Sequence, residues 1–175
     1  MKVLLIGGKA GAGKDTVANF IQHNFTNVKK LALADPIKDI AFSMGWHGDK
    51  DEKGRRLLQH LGQVGREYNE NMWVADAVWR INLNRLSTDN NLFVISDFRF
   101  PNECSVLRET FSDVVTLNIV GRQREMEDSL WEDVSENSLN NFKFDYTIVN
   151  SGTLRDLEEA VIKFVKENGL CTSSK

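Results

Sequence analysis

The chain has 175 residues, of which 41% are hydrophobic and 27% charged, and a formal net charge of −3. This suits one soluble globular domain with its own core. It argues against a nucleic-acid binder, whose affinity rests on a basic surplus that neutralises phosphates. Cys104 and Cys171 stand far apart in no metal-ligand spacing, so free thiols in a reducing compartment are expected. No stretch approaches the roughly 20 apolar residues of a membrane span, and a cytosolic location is expected.

Val3 to Ile6 is a short apolar run ended by glycines, the pattern of a strand buried on both faces. A glycine-rich turn, Gly7 to Gly13, follows. Val17, Phe20, Ile21 and Phe25 then recur at helical spacing. Leu31 to Ala34 reads as a second strand. Asp35 and Pro36 suggest an N-cap with proline at the first helical position, ahead of an apolar face at Ile37, Ile40, Ala41 and Met44. Residues 45–54 read as a loop. Leu57, Leu58, Leu61 and Val64 mark another helix. Asn71 caps a further one with Val74, Ala77, Val78 and Ile81 inward. Leu92 to Ile95 is a central strand, Pro101 opens a helix through Leu107, and Val114 to Val120 is a strand. Residues 121–141 are charged with little periodicity. Phe144 to Val149 reads as the last strand, and Thr153 caps a last helix with Leu154, Leu157, Val161, Phe164 and Val165 inward.

This order predicts an α/β fold with a mostly parallel sheet and helices on both faces. The expected core covers about 1–34, 91–120 and 142–170. A helical insertion spans about 35–86 and a second one about 121–141. Insertions over the carboxyl edge of such a sheet are natural substrate and lid elements.

The strongest chemical signal is Gly8-Lys9-Ala10-Gly11-Ala12-Gly13-Lys14-Asp15-Thr16. A buried strand delivers the chain to a glycine turn whose N–H groups can close around phosphate oxygens. The following helix adds its positive end, and Lys14 reaches the β- and γ-phosphates of a nucleotide. Ser or Thr usually follows that lysine and holds Mg²⁺, whereas here Asp15 does. A carboxylate is also a hard oxygen ligand, so Asp15 can bind the ion directly, through water, or accept from substrate. Thr16 is placed for the α-phosphate.

Asp97 ends the third apolar run, where a strand beside the first would aim an acid at Mg²⁺ or its waters. Arg99 would point from the same edge toward an anionic acceptor. Lys38, Arg55, Arg56 and Arg66 lie in the helical insertion, and Arg122 and Arg124 begin the charged one. Phosphoryl transfer needs such cations on developing charge. His23, His47 and His60 share no metal spacing. Among Trp46, Trp73, Trp79 and Trp131, core filling is the default, and Trp73 is the candidate if one stacks on a base.

With these residues in view, the chain resembles the phage-type deoxynucleoside monophosphate kinases of the P-loop nucleoside monophosphate kinase group. The matching stretches are GKAGAGKDTVANFI (Gly8 to Ile21), LADPIKD (Leu33 to Asp39), LLQHLGQVGREYNENMWV (Leu57 to Val74), VISDFRFPNE (Val94 to Glu103) and DYTIVNSGTL (Asp145 to Leu154). Lys14-Asp15-Thr16 is similar to the form that family uses. The resemblance implies a three-layer P-loop fold with five parallel strands, an acceptor-binding helical region and a lid. It implies ATP and Mg²⁺, with a deoxynucleoside monophosphate as acceptor. Lys38, Arg66 and Arg99 would meet the acceptor phosphate or base, and Arg122 would come from the lid; Lys9 is a further candidate for substrate binding. Asn150 and Gly152 resemble the segment bordering the adenine of ATP. The likeness also suggests a viral or bacterial source, hence host cytoplasm if viral, and leaves a homodimer open.

The expected chemistry is in-line transfer to an acceptor phosphate that is already ionised, so positioning and charge stabilisation carry it. The alternatives are the same core with another phosphorylated acceptor, such as dephospho-coenzyme A or phosphomevalonate, a P-loop NTPase switch, and an inactive binding module.

Overall fold

The computed structural model describes residues 1–49, 51–87, 92–121 and 137–171. The strands are β1 (Lys2–Gly7), β2 (Val28–Leu31), β3 (Leu92–Ile95), β4 (Val114–Gly121) and β5 (Tyr146–Asn150). The helices are α1 (Lys14–Asn24), α2 (Asp35–Ser43), α3 (Glu52–Tyr68), α4 (Met72–Ser87), α5 (Pro101–Thr110) and α6 (Leu154–Glu167). All strand pairs are parallel, in the order β2-β3-β1-β4-β5. The five-stranded parallel α/β fold expected from the sequence is the fold observed.

The apolar runs explain the layering. Successive side chains of a strand face opposite ways. Leu4 and Ile6 of β1, with Leu92 and Val94 of β3, join Val17 and Ile21 of α1 and Val161 and Val165 of α6. Val3, Leu5, Phe93 and Ile95 join Val74, Ala77 and Ile81 of α4 and Leu107 of α5. A strand with both faces covered must be apolar at every position, and β3 is buried throughout. β1 lies between β3 and β4, pairing Leu5 with Ile95 and Gly7 with Asn118. Its carboxyl end therefore opens between the ends of two neighbours, the place where ligands bind on open α/β sheets.

The structure corrects several expected elements. β2 runs from Val28 to Leu31, earlier than the expected 31–34. The amides of Leu33 and Ala34 donate to the carboxylate of Asp97 at 2.9 Å each, and so leave the strand. Ala34 occupies the N-cap of α2, and Asp35 turns back to accept from the Ala32 amide. Ile37 and Ala41 are buried, but Ile40 is 41% and Met44 63% exposed. α3 starts at Glu52, inside the expected loop, because the Asp51 side chain caps it by accepting from the Gly54 amide at 2.7 Å.

The buried residues of α3 are glycines, Gly54, Gly62 and Gly65, while Val64 is 62% exposed. The groove along Gly62 and Gly65 receives Trp73 of α4, whose indole N–H donates to the Gly62 carbonyl at 2.9 Å. A Cβ on Gly65 would fall on that ring. Trp73 is 6% exposed and locks α3 to α4. It packs on glycine and does not offer a free face to a base. β5 begins at Tyr146 because Phe144 turns inward with Phe142 and Phe98, edge to face with ring centroids 4.9–6.0 Å apart.

Candidate active site at the carboxyl edge of the sheet

The turn from β1 to α1 wraps on itself. Gly13 has φ 103° and stands as the N-cap of α1, and Gly8 has φ 136°. Side chains rarely adopt this left-handed region. A Cβ on Gly8 would also strike the Ile119 carbonyl of β4. The Lys14 ammonium folds back over the turn, donating to the Gly8 carbonyl at 2.7 Å and the Lys9 carbonyl at 2.9 Å. The Asn150 amide, at the end of β5, donates to the Ala12 carbonyl at 3.0 Å and braces the loop from beside. Gly11, Gly13, Lys14, Asp15 and Thr16 line a cavity of about 280 Å³. A second cavity of similar size lies in the α2–α3 connection, lined by Trp46, His47 and Lys53 among others, and holds none of the loop residues.

Asp15 opens the first turn of α1, and its carboxylate accepts from the Ser96 hydroxyl at 2.7 Å. Ser96 directly follows β3 and is buried. Asp97, expected to face the loop and its metal, instead receives the amides of Leu33 and Ala34, one on each carboxylate oxygen. Burial raises its pKa above the ordinary range, while the two amides and nearby Lys38 pull it down. Asp97 is half-buried, and two charge-assisted bonds are the usual way a carboxylate offsets the cost of leaving water. Asp97 thus stitches the end of β3 to the β2–α2 turn.

That stitch helps position the expected acceptor residues. Lys38, in the first turns of α2, lies 3.2 Å from Asp35. Arg66, in the last turn of α3, sets its guanidinium carbon 4.5 Å from the Phe100 ring centroid. The Arg99 and Phe100 amides both donate to one oxygen of Glu103, at 2.9 and 3.0 Å. Glu103 is itself buried. Burial pushes its carboxyl up to about 7, the two amides and Arg66 oppose that rise, and Asp97 adds to it. The segments that carry these cations are thus tied together: the β2–α2 turn by Asp97, the end of α3 by the Arg66–Phe100 contact, and the β3–α5 turn by Glu103.

The other expected residues fall as follows. The Lys9 ammonium donates to Asn137 at 2.9 Å. Ala10 is exposed in the loop. Asn150 braces the loop, and Gly152 precedes the cap of α6, where Thr153 and Asp156 bond reciprocally. Arg55 and Arg56 are exposed on α3, Arg56 beside Glu52 at 4.0 Å. Arg122, Arg124, Trp131 and most of the expected 121–141 lid lie outside the described residues. Sequence reasoning missed Ser96, Phe100 and Glu103 as parts of the site. For Ser96 the available signal was a hydroxyl at a strand end. For Glu103 it was an acid at the third helical position after Phe100-Pro101.

The donor set at the loop suits Mg²⁺ in its nucleotide-bound form. It offers one carboxylate and the hydroxyls of Thr16 and Ser96, all hard oxygens. Among the described residues no group of three or more His, Cys, Asp or Glu could cage a metal alone. Among the described residues no helix is long and apolar enough to cross a membrane.

A parallel sheet in this order, with a glycine turn and lysine between β1 and α1, is the fold of the P-loop kinases. Solved structures share it. They include the tunicamycin resistance protein of Deinococcus radiodurans, 16% identical with a TM-score of 0.56 over 94% of this chain and 95% of that one. They include shikimate kinase from Aquifex aeolicus, 11% identical with a TM-score of 0.50 over 97% of this chain and 99% of that one. At such identities the likeness speaks for the fold alone. The family model of the deoxynucleotide monophosphate kinases matches residues 2–69 of this chain. A curated relative, the uncharacterized protein ORF77 of Ictalurid herpesvirus 1 (strain Auburn), is 27% identical over 163 residues, 93% of this chain and 69% of that protein.

Proposed function

We propose that this chain transfers the γ-phosphoryl group of ATP to a deoxynucleoside monophosphate, giving the diphosphate. The observation that carries the reading is the β1–α1 turn, with Lys14 folded over the Gly8 and Lys9 carbonyls at the mouth of the loop cavity. The family match supports the acceptor, since residues 2–69 include the loop as well as Lys38 and Arg66.

In this reading the loop amides and Lys14 hold the β- and γ-phosphates. Asp15 and Thr16 would hold Mg²⁺, which neutralises charge on the transferring group when bound. Lys38, Arg66 and Arg99 hold the acceptor phosphate. Its attacking oxygen is already ionised, so no strong base is required, and alignment of the two phosphates supplies the catalysis. Arg122 adds a lid-side cation, on sequence grounds.

The test is transfer from ATP to dGMP, dTMP and dCMP, by wild type and by Lys14→Ala. Activity on at least one monophosphate, strongly reduced in the variant, is expected. Wild type inactive on all of them would remove the acceptor assignment, and an undiminished Lys14→Ala would remove the role of the loop.

A further inference from the structure

In the usual P-loop site two side chains face the metal of the bound nucleotide. A hydroxyl follows the loop lysine, and a carboxylate stands at the end of a nearby strand. In this chain both positions carry the opposite chemistry. Asp15 follows Lys14, and Ser96 directly follows β3, the strand hydrogen-bonded to β1. The two are joined directly, the Ser96 hydroxyl donating to Oδ1 of Asp15 at 2.7 Å.

The next strand-end residue is an acid, but it is engaged elsewhere. Both oxygens of Asp97 accept backbone amides of the β2–α2 turn. Turning Asp97 to the loop would strand the partly buried amides of Leu33 and Ala34, and leaving such groups unpaired is costly. Ser96, in contrast, is buried with its hydroxyl already turned to the loop acid. A hydroxyl donating to a carboxylate fixes that carboxylate's orientation and still keeps lone pairs of its own.

We propose that the metal-facing pair of this site has exchanged places: the carboxylate sits on α1 as Asp15 and its hydroxyl partner just past β3 as Ser96. The inference rests on the ATP-binding reading above. It adds a specific claim, that Ser96 is a positioning residue for Asp15 and that the two act as one unit.

An exchanged pair should tolerate being exchanged back. The measurement is ATP affinity by titration calorimetry, with and without Mg²⁺, for wild type, Ser96→Ala, Ser96→Thr, Asp15→Ser and the double variant Asp15→Ser/Ser96→Asp. Thermal melting checks folding first. Wild type should bind ATP more tightly with Mg²⁺. Ser96→Ala should shrink that gain roughly tenfold, the loss of one hydrogen bond to a charged group. Ser96→Thr keeps the hydroxyl and should retain the gain. Asp15→Ser should abolish it, and the double variant should recover most of it.

The proposal is overturned if Ser96→Ala leaves the Mg²⁺ gain unchanged, or if a folded double variant binds no better than Asp15→Ser. Should the double variant not fold, the contrast of Ser96→Ala with Ser96→Thr decides alone. Failure of the parent reading looks different, since wild type itself would then give no heat with ATP under either condition.

Discussion

In the phosphate loop, most of the bonds that fix the shape come from the main chain and from near neighbours in sequence. Lys14 reaches carbonyls five and six residues back, and the Ala12 amide closes on the Lys9 carbonyl. In the proposed acceptor corner, the bonds come from two carboxylates, and those of Asp97 join segments far apart in the chain. Asp97 holds amides 63 and 64 residues away, and Glu103 holds the turn that carries Arg99. The loop's own turn is closed by local bonds, with Asn150 and Ser96 bracing it from the neighbouring strand ends. The corner exists only once the sheet has formed, and it carries the burial cost of two acids. Triphosphate and acceptor binding should therefore respond differently to mutation and to pH.

Lys14→Ala should have the largest effect, lowering kcat on the order of 10²–10³, as expected for loss of one preorganised group on the transferring charge. Steady-state transfer assays check it, and the acceptor KM should move far less than kcat. Equal losses in both would break the contrast between the two regions.

Glu103 gives the next effect. Its folded pKa, pushed up to about 7, lies above its ordinary value of 4.5. The folded state thus binds the proton more tightly than the unfolded state. That stabilisation is complete below about pH 4.5 and is lost as pH rises through 7. A displacement of this size corresponds to about 3 kcal/mol. Urea unfolding of the wild type should show stability falling from pH 5 to 7.5. In Glu103→Gln, which keeps an oxygen for both amides, the slope should flatten to what Asp97 contributes. An unaltered slope would show that Glu103 is not the titrating group.

Arg66→Ala should raise the acceptor KM roughly ten- to a hundredfold, the range for a hydrogen bond to a charged partner, with the KM for ATP unchanged. The smallest effect belongs to Asn150→Ala. Losing its bond to the Ala12 carbonyl should weaken Mg-ATP binding by less than about tenfold, since one neutral hydrogen bond is worth about 0.5–1.5 kcal/mol net. Calorimetry reads this, and a larger effect on the acceptor than on ATP would assign Asn150 to the other side.

The same contrast explains what could be read from sequence. The loop was legible because strand, glycines, lysine and helix are contiguous, and a period-2 or period-3.6 pattern reports burial directly. β2 was misplaced because Leu33 and Ala34 are apolar enough for a strand, while the acid that takes their amides lies far along the chain. The inward face of α3 was missed because a hydrophobic pattern counts side chains and glycine has none, so Gly62 and Gly65 gave no sign that Trp73 fills their groove. Ser96 gave no signal of its own, because a strand-end acid is the usual metal-facing group and the amides that engage Asp97 lie far along the chain. Which of two adjacent residues faces the loop depends on where the other finds its partners.

The account turns on a nucleoside triphosphate held by the β1–α1 turn, and calorimetric titration of the wild type and Lys14→Ala with Mg-ATP and with AMP tests this most directly. Saturable heat from Mg-ATP in the wild type is predicted, weakened at least about tenfold in the variant, with AMP little affected by the substitution. No heat from Mg-ATP in the wild type, or equal affinity in the two proteins, would contradict it.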